Sequence, residues 1–155
     1  MDSKGLYVGV TFSKDTVERI RQYAEQASIP NLLNAEHLHS TLAYSRNLID
    51  GFESAGTINE IGTPTVFDIW EIKSLLEIKS YCLVLKFNSG YMQKRFNEII
   101  SMGATYDYDH YIPHVTFSYD VGKEFRLQSL PPIIQLGVLN IVNEYQEILD
   151  LDKYN

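Results

Sequence analysis

The feature that most constrains the fold is a weak internal repeat, in which one half of the chain matches the other after a shift of 75 residues, the distance from His39 to His114. The same shift places Thr41 on Thr116, and it superposes three apolar residues of the first half, Val8, Val10 and Phe12, on Leu83, Leu85 and Phe87. A repeat of this length is typical of a duplicated half-domain. The sequence therefore predicts two similar lobes about a pseudo-twofold axis, with a groove between them.

Each half is predicted to run in the order strand, helix, loop and strand. In the first half, Ser13 caps a helix that ends before Pro30, and in the second, Ser89 caps a helix that Gly103 stops. Strands are predicted at 6–12, 37–45, 66–78, 80–87 and 114–120, a surface loop at 49–65, and a last strand from near 136 whose end is ambiguous. One domain over residues 1–155 is expected, with one lobe of about 1–60 plus the C-terminal strand and a second of about 61–135.

The charge of the chain limits its partners. Its net charge is −7 and its pI is about 5.0, and the sequence has no Lys/Arg cluster of the kind that binding to long DNA or RNA needs. A long nucleic acid is therefore not an expected partner. A small anionic ligand in a pocket remains compatible with this charge, because a local field can differ in sign from the net charge.

The sequence also predicts where the protein acts. It has no apolar run of about 18 residues and no basic-then-apolar leader, so neither a membrane span nor secretion is expected. Cys82 is the single cysteine and cannot form an internal disulfide, which fits a reducing compartment. The expected location is the cytoplasm, and the oligomeric state is left open.

All four histidines fall into two short clusters, and each cluster contains a His-x-Thr motif on a predicted strand. Residues i and i+2 of a strand share a face, so His39 points with Thr41 and His114 points with Thr116. Two imidazoles and two hydroxyls that converge across the groove suit phosphodiester cleavage. A neutral imidazole takes a proton from the attacking hydroxyl, a protonated one donates to the leaving oxygen, and the threonines hold phosphate oxygens. This scheme requires no metal or cofactor.

Two other interpretations remain at this point. His37, His39, His110 and His114 together have the donors for a four-histidine metal site, although the spacing includes no carboxylate. Alternatively, the motif histidines are ordinary strand residues without a chemical role.

The two motifs resemble those of the 2H phosphoesterase superfamily. "HSTL" at His39–Leu42 and "PHVTF" at Pro113–Phe117 fit its pattern, and the order of strand, helix and motif extends the resemblance over nearly the whole chain. Ser40 departs from it, because the superfamily usually has an apolar residue there. The resemblance implies an α+β fold of duplicated strand–helix–strand lobes, with antiparallel sheets around a central cleft, and a catalytic set of His39, Thr41, His114 and Thr116.

Within the superfamily, the chain looks most like the small phage anti-CBASS nucleases. That resemblance implies metal-independent hydrolysis of the 3′–5′ bonds of cyclic di- and trinucleotides of the cyclic GMP–AMP type, which are signals of bacterial immunity. The adjacent ribose 2′-hydroxyl is the implied nucleophile, and a 2′,3′-cyclic phosphate forms and then opens to a 3′-phosphate. The implied place of action is the host cytoplasm.

Four residues are candidate contacts to such a substrate. Tyr7 faces the groove from the first strand and, like Trp70, is a platform on which a base can stack. Lys86 is the repeat counterpart of a groove residue and can offset phosphate charge, and Glu144 can accept a hydrogen bond from a base amino group. The alternative functions are a 2H cyclic phosphodiesterase or 2′–5′ phosphodiesterase acting on RNA ends, and a sponge that binds cyclic nucleotides without cutting them.

Overall fold

The computed structural model of the chain describes residues 3–154. Within this range the chain forms six strands, two α-helices and four short 3-10 helices. The strands and α-helices are β1 (Lys4–Phe12), α1 (Lys14–Ala27), β2 (His39–Ser45), β3 (Gly56–Lys73), β4 (Lys79–Asn88), α2 (Gly90–Ser101), β5 (His114–Ser118) and β6 (Leu139–Asp150). The 3-10 helices are Ala35–His37, Leu127–Ser129, Ile133–Leu136 and Leu151–Tyr154. No helix in this part of the chain is long and apolar enough to cross a membrane.

The six strands form one continuous sheet in the order β2-β1-β6-β3-β4-β5, and every neighbouring pair is antiparallel. This confirms the predicted α+β class, with a single sheet in place of separate ones. The order is symmetric about the central pair, so β2-β1-β6 on one side corresponds to β5-β4-β3 on the other. The proposed division into two lobes follows this symmetry.

The two α-helices begin at the residues that the sequence predicts. The Ser13 hydroxyl accepts from the backbone N–H of Thr16 at 3.1 Å, and the Ser89 hydroxyl accepts from that of Met92 at 3.2 Å. Each bond satisfies one of the N–H groups that a first helical turn leaves unpaired. Helix α1 ends at Ala27, before Pro30 as predicted.

One hydrophobic core lies between the helices and one face of the sheet. It combines helix residues such as Ile20 and Ile99 with strand residues from both halves of the chain. Phe12 and its repeat counterpart Phe87 meet edge to face with ring centroids 6.2 Å apart. Because the helices cover one face, the opposite face of the sheet remains open to solvent and to ligands.

The predicted loop at 49–65 is wrong over its second part, since β3 already begins at Gly56. Residues Gly56–Gly62 pair with Leu139–Glu144 of β6. Most of their side chains are exposed or half-buried, so the apolar alternation by which a strand is recognised is missing. Backbone pairing with β6 defines this segment as a strand, and Ile58 is its half-buried contact with the core. The predicted strand at 66–78 ends at Lys73, where a turn leads into β4.

Candidate active site

The two motif strands have the same register against their neighbours. His39 of β2 lies opposite Thr11 of β1, and His114 of β5 lies opposite Lys86 of β4. These pairs are equivalent under the 75-residue shift. Both ladders are also interrupted at equivalent places, between Val8 and Gly9 in β1 and between Leu83 and Val84 in β4. The duplication therefore extends from the sequence pattern to the backbone geometry that supports each motif.

The motif residues alternate between the two faces of the sheet as the sequence predicts. His39, Thr41, His114 and Thr116 are all half-buried. The residues between and after them, Ser40, Leu42, Val115 and Phe117, are at most 1% exposed and belong to the covered face. Each motif thus presents its imidazole and its hydroxyl to the open face.

Strands β2 and β5 lie at opposite ends of the strand order, yet they meet in space. The Ser40 hydroxyl donates to the backbone carbonyl of His114 at 2.6 Å, and the Tyr111 hydroxyl donates to the carbonyl of Thr41 at 2.8 Å. The sheet is therefore curved until its two edges touch. This curvature places both His-x-Thr motifs in one cleft.

Both imidazoles are held in the same way. The Nδ1 atom of His39 lies 2.7 Å from the carbonyl oxygen of His37, and Nδ1 of His114 lies 3.0 Å from that of Ile112. A carbonyl oxygen only accepts, so each Nδ1 carries a proton and donates it. In both motifs this leaves Nε2 free to exchange a proton with a substrate, as general acid–base catalysis requires.

The surroundings of the second imidazole favour its neutral form. Burial lowers the pKa of His114, and the charges of His39 and Lys86 lower it further, against an opposing effect of the hydrogen bond to Ile112. A desolvated imidazole next to cationic groups is disfavoured in its charged state. His114 is therefore suited to accept a proton.

Two of the four predicted substrate contacts lie beside His114. The Trp70 ring centroid is 4.5 Å from that of His114, and its indole N–H donates to Asp68 at 3.0 Å. The Lys86 ammonium lies 3.1 Å from the same carboxylate oxygen of Asp68. Although burial alone would raise it, the hydrogen bonds from Lys86 and Trp70 lower the pKa of Asp68. The Lys86 charge is thus close to the site and partly balanced by Asp68.

Tyr7 lies beside the first motif. Its hydroxyl is hydrogen-bonded to the Thr41 hydroxyl at 3.0 Å, and its ring centroid is 6.2 Å from that of His39. Burial raises the pKa of Tyr7, so the phenol is neutral near pH 7. A side chain at Gly9 would lie within 3 Å of the Tyr7 ring and the Tyr145 hydroxyl, so this glycine makes room for the two tyrosines.

An open pocket of about 560 Å³ extends from His39 over β1 and β6. Its β6 wall includes Asn143, Tyr145 and Glu147, three residues that the sequence analysis did not select. They lie directly opposite the cleft-facing residues of β1, namely Thr11, Gly9 and Tyr7. The sequence shows that these residues are spaced by two and so share a face. Which face that is depends on the register of β6 against β1. Trp70, Lys86 and His114 lie outside this pocket.

The prediction for Glu144 is wrong. This carboxylate is 1% exposed and accepts from the Tyr91 hydroxyl at 2.7 Å, from Arg95 at 2.9 and 3.0 Å, and from the Ala55 backbone N–H at 2.6 Å. Burial alone would raise its pKa, but these donors lower it. Relative to β1, strand β6 has one extra residue between Ile141 and Asn143, which reverses the alternation and directs Glu144 to the covered face.

The alternative of a four-histidine metal site does not match the arrangement of the side chains. Among residues 3–154, no group of three or more His, Cys, Asp and Glu side chains is placed to hold a metal ion. His37 pairs with Glu36 at 3.6 Å, and His110 is exposed.

Comparisons with known proteins agree with this architecture. The structure is similar to Escherichia coli LigT, with a TM-score of 0.56 and 13% identity to the NADP+ complex and a TM-score of 0.52 and 17% identity to the phosphate complex. Each alignment covers 94% of this chain and 87% of LigT. This likeness shows that the chain shares the fold of LigT.

Sequence comparisons give a narrower result. The chain is 35% identical to the anti-CBASS protein Acb1 of Escherichia phage RB16 over 150 residues, which are 96% of this chain and 83% of that protein. It is 33% identical to Acb1 of Enterobacteria phage T4 over 97% of this chain and 91% of that protein. The family model described as "Anti-CBASS protein Acb1" matches residues 4–155. The chain therefore belongs to the anti-CBASS protein Acb1 family.

Proposed function

We propose that this protein is a metal-independent phosphodiesterase that hydrolyses the 3′–5′ bonds of cyclic di- and trinucleotides of the cyclic GMP–AMP type, and that it thereby counteracts CBASS immunity in the host cytoplasm. The observation that carries the proposal is the matched geometry of His39 and His114 in one cleft. Each has Nδ1 bound to a backbone carbonyl two residues earlier and Nε2 free. The names of the relatives supply the biological setting.

The proposed roles follow from the different surroundings of the two imidazoles. His114 is the general base, because burial and the neighbouring charges lower its pKa and keep it neutral. It takes the proton of the ribose 2′-hydroxyl, whose oxygen then attacks the adjacent phosphorus. His39 is the general acid and protonates the 5′-oxygen as the P–O5′ bond breaks. The product carries a 2′,3′-cyclic phosphate, which water opens to a 3′-phosphate while the two imidazoles exchange roles.

The remaining site residues hold the substrate. The Thr41 and Thr116 hydroxyls donate to the non-bridging phosphate oxygens and align the attacking and leaving oxygens. Tyr7 and Trp70 flank the two imidazoles, and each supplies a face on which a base stacks. Lys86 offsets phosphate charge next to His114.

The test is incubation of the protein with cyclic GMP–AMP in EDTA, followed by chromatography before and after denaturation. A linear product supports the proposal. Intact ligand that is released only on denaturation would identify a sponge, and loss of cleavage in EDTA would identify a metal-dependent enzyme. A parallel reaction with a 2′–5′-linked dinucleotide and an RNA with a 2′,3′-cyclic phosphate end completes the test, because cleavage of these substrates alone would assign the protein to RNA ends.

A further inference from the structure

The distance between the two imidazoles is not set by the β-ladder. Strands β2 and β5 are the edge strands, and each is hydrogen-bonded within the sheet on one side, to β1 and to β4 respectively. Between the two edges lie four other strands, so small changes of twist accumulate across the sheet. Something other than strand pairing must hold the two motifs at a constant separation.

Two side chains bridge this gap in a crossed arrangement. Ser40 lies between His39 and Thr41, and its hydroxyl donates to the backbone carbonyl of His114 at 2.6 Å. Tyr111 precedes the second motif by three residues, and its hydroxyl donates to the backbone carbonyl of Thr41 at 2.8 Å. Each motif segment thus bonds to the backbone of a catalytic residue in the other.

Both bridging side chains are rigidly placed. Ser40 is 1% exposed, and the Tyr111 ring is stacked on Phe96 with centroids 4.2 Å apart and planes 5° apart. Ser40 lies on the apolar face of its strand. The side chain of its repeat counterpart, Val115, has no hydrogen-bond donor. A hydroxyl at this apolar position is therefore explained by the bond that it makes across the cleft.

We propose that Ser40 and Tyr111 form a clamp that sets the separation of the His39 and His114 imidazoles, and that both are positioning residues for the reaction. The expected effect of the clamp on kcat rests on the proposed function. Its effect on the separation of the imidazoles is a property of the free protein and does not depend on any substrate. Because both imidazoles must reach one phosphodiester group, a small increase in their separation slows the chemical step more than it weakens binding.

The test compares Ser40→Ala and Tyr111→Phe with two matched controls. Ser118→Ala removes a buried serine hydroxyl that donates to the Pro30 carbonyl at 2.7 Å, at the far end of β5. Tyr23→Phe removes a buried tyrosine hydroxyl that donates to the Pro131 carbonyl at 2.7 Å, from a ring that also stacks on a phenylalanine. The controls lose the same kind of bond without loosening the contact between the motifs.

The first measurement is the cleavage of cyclic GMP–AMP. We expect kcat to fall by roughly tenfold to a hundredfold in both clamp variants, with KM changed by less than about threefold. Both controls are expected to keep kcat within about twofold of the unchanged protein while losing a comparable amount of thermal stability. Equal kcat in clamp and control variants, at equal melting temperature, would overturn the proposal.

The second measurement needs no substrate. NMR titration of the imidazoles in the free protein reports the pKa of His114, which burial and the proximity of His39 lower. Opening the clamp weakens both effects, so His114 is expected to titrate at higher pH in the clamp variants and not in the controls. An unchanged His114 titration contradicts the clamp even if the protein cleaves nothing. Failure of the unchanged protein to cleave any cyclic nucleotide contradicts only the proposed function.

Discussion

The two halves of the cleft have the same backbone and different surroundings. The first half-site, which contains His39 and Thr41, opens into a large pocket walled by β1 and β6. The second half-site, which contains His114 and Thr116, packs against Trp70 and lies beside the Lys86–Asp68 ion pair. Duplication explains the equal register, and divergence of the neighbouring strands gives the two imidazoles the different surroundings on which their proposed roles rest. Equivalent positions in a repeat therefore predict a shared site, not a shared role.

Removing either imidazole is expected to have the largest effect. His39→Ala and His114→Ala should each lower kcat for cyclic GMP–AMP by about 10²- to 10⁴-fold, because each removes one proton transfer from the transition state. Steady-state kinetics with circular dichroism checks activity and fold together. His110→Ala is the matched control, since His110 is exposed and lies just before the second motif. Near-normal turnover of either motif variant would refute the acid–base assignment.

On the covered face of the sheet, Glu144 is buried in a set of hydrogen bonds that is separate from both half-sites. Glu144→Ala should destabilise the protein by about 3–5 kcal/mol, because it leaves the partly buried Arg95 with Glu98 as its remaining ion-pair partner and removes the acceptor of the Tyr91 hydroxyl and the Ala55 N–H. Well below the melting temperature, kcat should stay close to that of the unchanged protein. Urea unfolding and kinetics at low temperature check this expectation.

Glu147→Ala, on the cleft face of the same strand, is the comparison, and it should alter KM with little loss of stability. The reverse pattern would show that Glu144 contacts the substrate.

The two half-sites differ in the aromatic side chain that is proposed to stack on a base, Tyr7 in the first and Trp70 in the second. Trp70→Ala and Tyr7→Ala should each raise KM by an amount equivalent to about 1–3 kcal/mol, the usual contribution of one base–aromatic stack. Measured with cyclic di-AMP, cyclic di-GMP and cyclic GMP–AMP, the two variants should change preference differently if each ring binds a separate base. Identical changes for all three substrates would mean that the rings do not discriminate between bases.

The smallest expected effect is a shift of the pH profile. Lys86→Thr makes the second half-site resemble the first, where Thr11 occupies the equivalent position. Removing a positive charge that lowers the pKa of His114 raises that pKa. Since the base must be neutral, the acidic limb of the rate profile should move to higher pH.

Lys79→Thr is the matched control for that shift. Lys79 forms an ion pair with Glu71 at 3.0 Å between the same two strands, so its loss removes the same kind of pair elsewhere. Its pH profile should match that of the unchanged protein. A shift in the control equal to that in Lys86→Thr would show that net charge, and not proximity to His114, is responsible.

Local patterns in the sequence predicted the parts of this protein that depend on local rules. The faces of His39 and His114 follow from the period of two in a strand, and the helix starts at Ser13 and Ser89 follow from capping chemistry. The antiparallel α+β fold followed from the resemblance that the two motifs carry. The strand faces and the helix caps depend on a few neighbouring residues, so they can be predicted from the sequence alone.

Other features depended on pairing between distant segments. The start of β3 at Gly56 was missed because its pairing with β6 is a contact between distant segments that the local sequence does not mark. The extra residue before Asn143 reversed the faces of β6, which turned Glu144 inward and brought Tyr145 to the pocket. A single inserted residue in a strand has this effect on every residue after it, and nothing in the local composition marks it.

By itself, the sequence determined that the chain carries two equivalent His-x-Thr strands, because the spacing and periodicity of those residues are properties of the chain alone. Only the tertiary structure decided that these strands meet, which side chains surround each imidazole, and which face Glu144 occupies. Those outcomes depend on the curvature and register of six strands, which arise from contacts between residues far apart in the chain.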